Sequence, residues 1–96
     1  MLDKKSRIKL RSLASTLKPV VWVGKDGFSA PALKQIEEEL FNHELVKISL
    51  QENAPVPTDD ELEDIVENLN ADIVTKIGRK IVMYKKSEKK NISHVL

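Results

Sequence analysis

Val20-Val21-Trp22-Val23-Gly24-Lys25-Asp26-Gly27-Phe28-Ser29-Ala30-Pro31 is the stretch that decides how this chain folds. An apolar run, a loop that opens and closes on glycine, and a serine two residues before a proline read as strand, tight turn and helix start. The run Val20–Val23 shows no polar alternation, so it is expected to form a short strand buried on both faces, with Trp22 in the core. Ser29 is a candidate N-cap, and Pro31 falls in the first helical turn, where a missing N–H costs little. Leu33, Ile36 and Leu40 continue as an apolar stripe to about Asn42-His43. The loop also carries chemistry of its own. Two glycines let backbone approach a bulky anion, the following helix N-terminus presents N–H groups, and Lys25 adds a mobile cation. That combination suits phosphate. The longer G-x-x-x-x-G-K-[ST] of a nucleotide-binding loop is absent, and no nucleophile accompanies the glycines.

Upstream, Leu10, Leu13, Ala14 and Leu17 recur at i, i+3, i+4 and i+7, which predicts a helix over about Asp3 to Leu17 capped by Asp3. At about 100° per residue, Lys4, Arg7, Arg11 and Lys18 fall on one flank of that stripe as a basic ridge. No acid follows Asp3 within the helix to offset their mutual repulsion, so phosphates would relieve it. Pro19 ends the helix.

Downstream, Leu45 to Leu50 alternates, with Val46, Ile48 and Leu50 on one face and Lys47 and Ser49 on a face expected to be solvated. Gln51 to Pro57 is a loop. Thr58 and Glu61 form a capping box for a third helix carrying Leu62, Ile65, Val66 and Leu69 at helical spacing. Ile73–Ile77 and Lys80–Lys85 read as two strands joined at Gly78-Arg79. Residues 87–96 are expected to be a basic, flexible tail beyond a single domain of residues 1–86, with a terminal turn through Ile92, Val95 and Leu96 as the alternative.

The element order is α-β-α-β-α-β-β. Two crossovers favour parallel pairing and the last hairpin adds an antiparallel strand, which gives an α/β (α+β two-layer) fold with helices packed on a mixed four-stranded sheet.

Composition narrows the function classes. The chain has 96 residues, 41% of them apolar, enough for one modest core. It has no run long enough to span a membrane and no hydrophobic signal at Met1-Leu2-Asp3-Lys4-Lys5, so a cytoplasmic address is expected. The absence of cysteine excludes disulfides and thiolate metal sites. The formal net charge of +1 hides strong segregation: residues 1–25 carry +6, residues 26–75 carry −11 and residues 76–96 carry +6. One surface should attract polyanions and another repel them. Glu37-Glu38-Glu39 and Asp59-Asp60-Glu61 with Glu63-Asp64 have no histidine or cysteine at ligand spacing and read as solvated helix surface. His43 reads as a cap, and His94 falls in the tail. Trp22 and Phe28 both flank the loop and either is able to stack on a base, though Trp22, in an apolar strand, is expected in the core.

Four blocks in order then carry a resemblance: Leu10-Arg11-Ser12-Leu13-Ala14 with Leu17-Lys18-Pro19-Val20-Val21; Val23-Gly24-Lys25-Asp26-Gly27-Phe28; His43-Glu44-Leu45-Val46-Lys47-Ile48; and Ile77-Gly78-Arg79-Lys80-Ile81-Val82-Met83-Tyr84. Together they resemble the CRM domain, the RNA-binding module of the bacterial YhbY family and of plant organelle intron-splicing factors. The resemblance implies a fold similar to the C-terminal domain of the third bacterial translation initiation factor. It also implies RNA binding and, for the stand-alone bacterial members, association with precursors of the large ribosomal subunit, where the RNA is ribosomal. The lack of any nucleophile-base or metal constellation separately predicts no catalysis, metal or cofactor. The residues expected to meet RNA are Lys4, Arg7, Arg11, Lys18, Gly24, Lys25, Asp26, Gly27 and Phe28, in a protein expected to be monomeric and free of membranes. Asp26 and the acidity of the third helix depart from the family pattern. They leave a second reading open, a protein-interaction module that contacts a basic ribosomal protein through the acidic middle segment.

Overall fold

A computed structural model describes residues 2–96. The elements are α1 (Lys4–Ala14), β1 (Val21–Val23), α2 (Ala30–His43), β2 (Leu45–Leu50), α3 (Asp59–Leu69), β3 (Asp72–Ile77) and β4 (Lys80–Tyr84). All three helices begin on the caps expected from sequence. The Asp3 carboxylate accepts from the Ser6 N–H at 2.7 Å, which holds its pKa below the usual value. Ser29 accepts from Ala32 N–H. Thr58 and Glu61 close a reciprocal capping box, with three acids in the first turn that suit the helix dipole.

The sheet order is β1-β2-β4-β3. β1 and β2 are parallel, and β4 runs antiparallel to both β2 and β3. The crossover through α3 therefore skips one position, and the returning hairpin strand fills it. Gly78 supplies the left-handed residue of the hairpin turn, at φ 58°.

Two cores result, one on each side of the sheet. Ile36 and Leu40 of α2 and Leu62, Val66 and Leu69 of α3 pack on Val21, Val23, Val46, Ile48, Leu50, Ile81 and Met83. Leu10 and Ala14 of α1 pack on Leu45, Val74, Val82 and Tyr84 of the opposite face. The mixed sheet and element order are as expected, but the layering is not two-layer: α1 covers the second face. Each fully buried aliphatic side chain in these cores contributes about 1.5–3 kcal/mol, so the second core adds materially to a chain of this size.

This placement of α1 corrects several sequence expectations. Lys47 and Ser49 do not face solvent, because Ser49 is buried and the Lys47 ammonium donates to the carbonyls of Ala14 and Leu17 at 3.0 and 3.1 Å. A lysine there complements the negative end of α1. The helix stops at Ala14, where the Ser15 N–H turns back to Arg11 and Ser12 carbonyls, so Lys18 lies in the connection and outside the helical ridge. Leu13 is 39% exposed at the margin of the seam. Trp22 is not in the core. β1 is a three-residue edge strand whose alternation sends Val21 and Val23 to the α2/α3 core and leaves Trp22 56% exposed on the α1 side.

The C-terminal segment also differs from a frayed tail. Ser87 is buried, its N–H donates to Glu44 and its hydroxyl donates to the Phe41 carbonyl. Val95 packs against the α1 core. What holds this segment is a charged group hidden beneath it, the Glu44 carboxylate at the end of α2.

Candidate functional site

The contrast between the basic N-terminal part and the acidic middle becomes a segregation between faces, while Lys85, Lys86 and Lys89 of the C-terminal part lie beside Glu37, Glu38 and Asn42 of α2. The cations of α1 stand on one side of the sheet, while Glu37 and Glu38 of α2 and Asp60, Glu61, Glu63 and Asp64 of α3 stand on helices packed against the other. Lys4, Arg11 and Lys18 are exposed and make no hydrogen bond or ion pair within the described residues. Arg7 differs from its neighbours. It is half-buried, and its guanidinium donates to the Ile73 carbonyl of β3, which ties α1 to the sheet. The expected ridge thus divides into three free cations and one structural arginine.

The glycine loop sits where β1 leaves the sheet. The Gly27 N–H donates to the Gly24 carbonyl at 2.9 Å, which closes a four-residue turn around Lys25 and Asp26. Gly27 then takes φ 64°, and Ser29 N–H donates to its carbonyl. The turn and the helix start therefore use some of the amides that a phosphate would need. Pro31 has none, Ala32 N–H goes to the Ser29 hydroxyl and Leu33 N–H goes to the Ser29 carbonyl. The Gly24, Lys25, Asp26, Phe28 and Ala30 amides make no hydrogen bond within the described residues. They and the exposed Lys25 amine are the donors the loop leaves open to an anion.

The surroundings of the loop are mixed. Phe28 is half-buried against the α2/α3 core. Together with Asp26, Pro55, Glu61, Asp64 and Ile65 it lines a groove toward α3. Asp26 makes no capping bond of its own and belongs to this acidic side, so the side of the loop that does not repel an anion is that of Lys25. Sequence reasoning also missed Arg79, which donates to the Gln51 and Ala54 carbonyls and pins the loop that carries Pro55. No local pattern marks it.

The two glycines have different duties. A Cβ on Gly27 would combine a left-handed backbone with a contact of 3.1 Å to Pro55 Cγ, whereas one on Gly24 would meet only the movable end of Gln51 at 3.1 Å. Gly27→Ala is expected to destabilise the fold by about 1–2 kcal/mol. Gly24→Ala should stay within roughly 0.5 kcal/mol. Urea unfolding with unchanged m-values checks both, and equal costs would contradict this division.

Among the described residues there is no group of three or more histidine, cysteine, aspartate or glutamate side chains placed to hold a metal, and no helix is long and apolar enough to cross a membrane. His43 is exposed at the end of α2 and lies 3.4 Å from Glu39. His94 meets the buried Glu44.

Residues 2–85 match the CRS1 / YhbY (CRM) domain family. The chain is 39% identical over 88 residues to the "Probable RNA-binding protein YqeI" of Bacillus subtilis, covering 92% of each chain. It is 33% identical over 91 residues to an "RNA-binding protein" of Haemophilus influenzae, covering 95% of this chain and 92% of that one. The solution structure of SAV1595 from Staphylococcus aureus, a hypothetical protein proposed to bind RNA, superimposes with a TM-score of 0.70 at 33% identity over 95% of both chains. These relatives are named for binding and not for catalysis.

Proposed function

The chain belongs to the CRS1 / YhbY (CRM) domain family, and on that premise we propose that it binds RNA through the α1 face and the Lys25 side of the glycine loop. The observation that carries this reading is the isolation of α1. Its free cations stand on the opposite side of the sheet from the acidic helices, so a polyanion can approach one face without meeting the other. Lys4, Arg11, Lys18 and Lys25 supply phosphate contacts, which position RNA without reading its bases. The RNA is ribosomal, in precursors of the large subunit, and the protein acts there as a monomeric cytoplasmic assembly factor; the family resemblance supports this step.

Titration of a large-subunit RNA fragment across a salt series tests the binding mode. Four phosphate contacts predict that log affinity falls with log salt at a slope of about −3 for single-stranded RNA. A slope near zero would remove the electrostatic reading. Crosslinking in growing cells tests the RNA's identity, and recovery without large-subunit sequences would count against an assembly role.

A second reading has its own observation, the groove bordered by Asp26, Glu61 and Asp64. It favours a basic ribosomal protein on the α3 side. Association that survives nuclease and is lost on reversing Asp59 and Asp60 would support that partner.

A further inference from the structure

Strand register places Trp22, Ser49, Lys80 and Ile77 side by side in one row across all four strands. The row lies on the α1 face of the sheet, but α1 buries other rows, those of Leu45, Val74, Val82 and Tyr84. At the other end of this row Ile77 is 73% exposed, and Val20, two residues before Trp22, is 38% exposed. Between the two apolar ends lies a fixed cation. The Lys80 ammonium donates to the Ser49 hydroxyl at 2.7 Å, so it sits over β2, one strand spacing of about 4.8 Å from the strand that carries the indole.

We propose that this row is a nucleobase-stacking site for single-stranded RNA, with Trp22 as the platform and Lys80 as the adjoining phosphate contact. It rests on the reading of the protein as an RNA binder and adds to it a means of holding bases. An exposed indole offers a flat π face that accepts any base, and a cation beside it meets the backbone of the stacked nucleotide. The row contains no acid, and Lys18 and Lys25 flank Trp22 in the chain. That charge decides the occupant. A second copy of the chain docking through the same patch about a two-fold axis would bring these cations against their own equivalents.

Trp22 is the only tryptophan in the chain, so its fluorescence reports on the site directly. Titration with a short oligoadenylate should quench it, whereas heparin, a polyanion without bases, should leave it nearly unchanged at equal saturation. Trp22→Ala should weaken oligoadenylate binding by roughly 5- to 150-fold with the salt slope retained, and Trp22→Phe should recover most of the loss. Lys80→Ala should instead lower the slope by roughly 0.7. Because Trp22 is exposed, thermal melting should show both Trp22 variants folded.

The outcomes separate this inference from the one beneath it. If the wild type binds neither oligoadenylate nor ribosomal RNA, the RNA reading itself fails. If RNA binds with the expected slope but Trp22→Ala binds equally well, or heparin quenches as strongly as oligoadenylate, the stacking site is overturned alone. A dimer in sedimentation that Trp22→Ala dissociates would reassign the row to self-association.

Discussion

Replacing Lys4, Arg11 and Lys18 together by glutamate is expected to weaken binding to a ribosomal RNA fragment by at least about a hundredfold at physiological salt. The three side chains have no partner in the fold, so the change removes about three phosphate contacts and sets repulsive charges in their place. Stability should change little. Lys4 is the first residue of α1, where a carboxylate gains from the helix dipole, and Arg11 is in the last turn, where it loses. Each effect is about 0.3–1 kcal/mol, and the two have opposite signs. Arg7 is left out of the set because its bond to Ile73 would confound stability with binding. Placing lysine at Glu37, Glu38 and Glu63 provides the control. These positions are on the helices of the other face, and the molecule is 24 Å across even at its narrowest, against a Debye length of about 8 Å. Affinity there should shift by no more than a few-fold. Equal and opposite effects from the two sets would mean that net charge, and not a face, governs binding.

The parts of the fold that sequence made legible are those written in local chemistry. Asp3, Ser29 and Thr58 each sit one residue before a helix and accept from the backbone N–H three residues ahead, so cap and helix start are encoded together. The Gly78-Arg79 turn is likewise a local requirement for positive φ. The face on which each helix packs is set by contacts between distant residues, and there the reading failed. Val20-Val21-Trp22-Val23 has the same apolar pattern whether or not a helix covers its second face. Only the length of α1 and the edge position of β1 leave Trp22 outside. Lys47 looked like a solvent-facing member of an alternating strand because its partners, the Ala14 and Leu17 carbonyls, lie about thirty residues earlier. The candidate site follows the same division. Its charge and its glycine turn were visible, but the commitment of Arg7 to β3 and of the Gly27 amide to closing its own turn was not.

Glu44 is the residue whose importance was least visible, and its replacement should have the largest effect on stability. It is fully buried, and its backbone takes φ 66° where helix ends commonly place glycine. The conformation holds because the chain is fixed on both sides: its N–H donates to the Leu40 carbonyl, and its carbonyl accepts from Lys85 N–H. The carboxylate then gathers the C-terminal segment, accepting from Ser87 N–H at 2.7 Å and Val95 N–H at 2.9 Å and meeting His94 Nδ1 at 2.7 Å. Burial raises the pKa of such a group, but the two amides and the histidine outweigh it and hold the carboxyl below the ordinary glutamate range. Its contribution to stability is therefore complete above that range and is lost as pH falls through the lower folded value. Glu44→Ala should cost about 2–4 kcal/mol at neutral pH, since hydrogen bonds to a charged acceptor contribute about 1.5–3 kcal/mol each and the freed amides recover water as the segment lifts away. Hydrogen exchange should show loss of protection at the Ser87 and Val95 amides while β2 and β4 stay protected. The gap in unfolding free energy between wild type and Glu44→Gln should narrow as pH drops into the acid range. A gap that widened there would mean that the carboxyl binds its proton more tightly in the folded protein than in the unfolded one, and that the amides and His94 do not outweigh its burial.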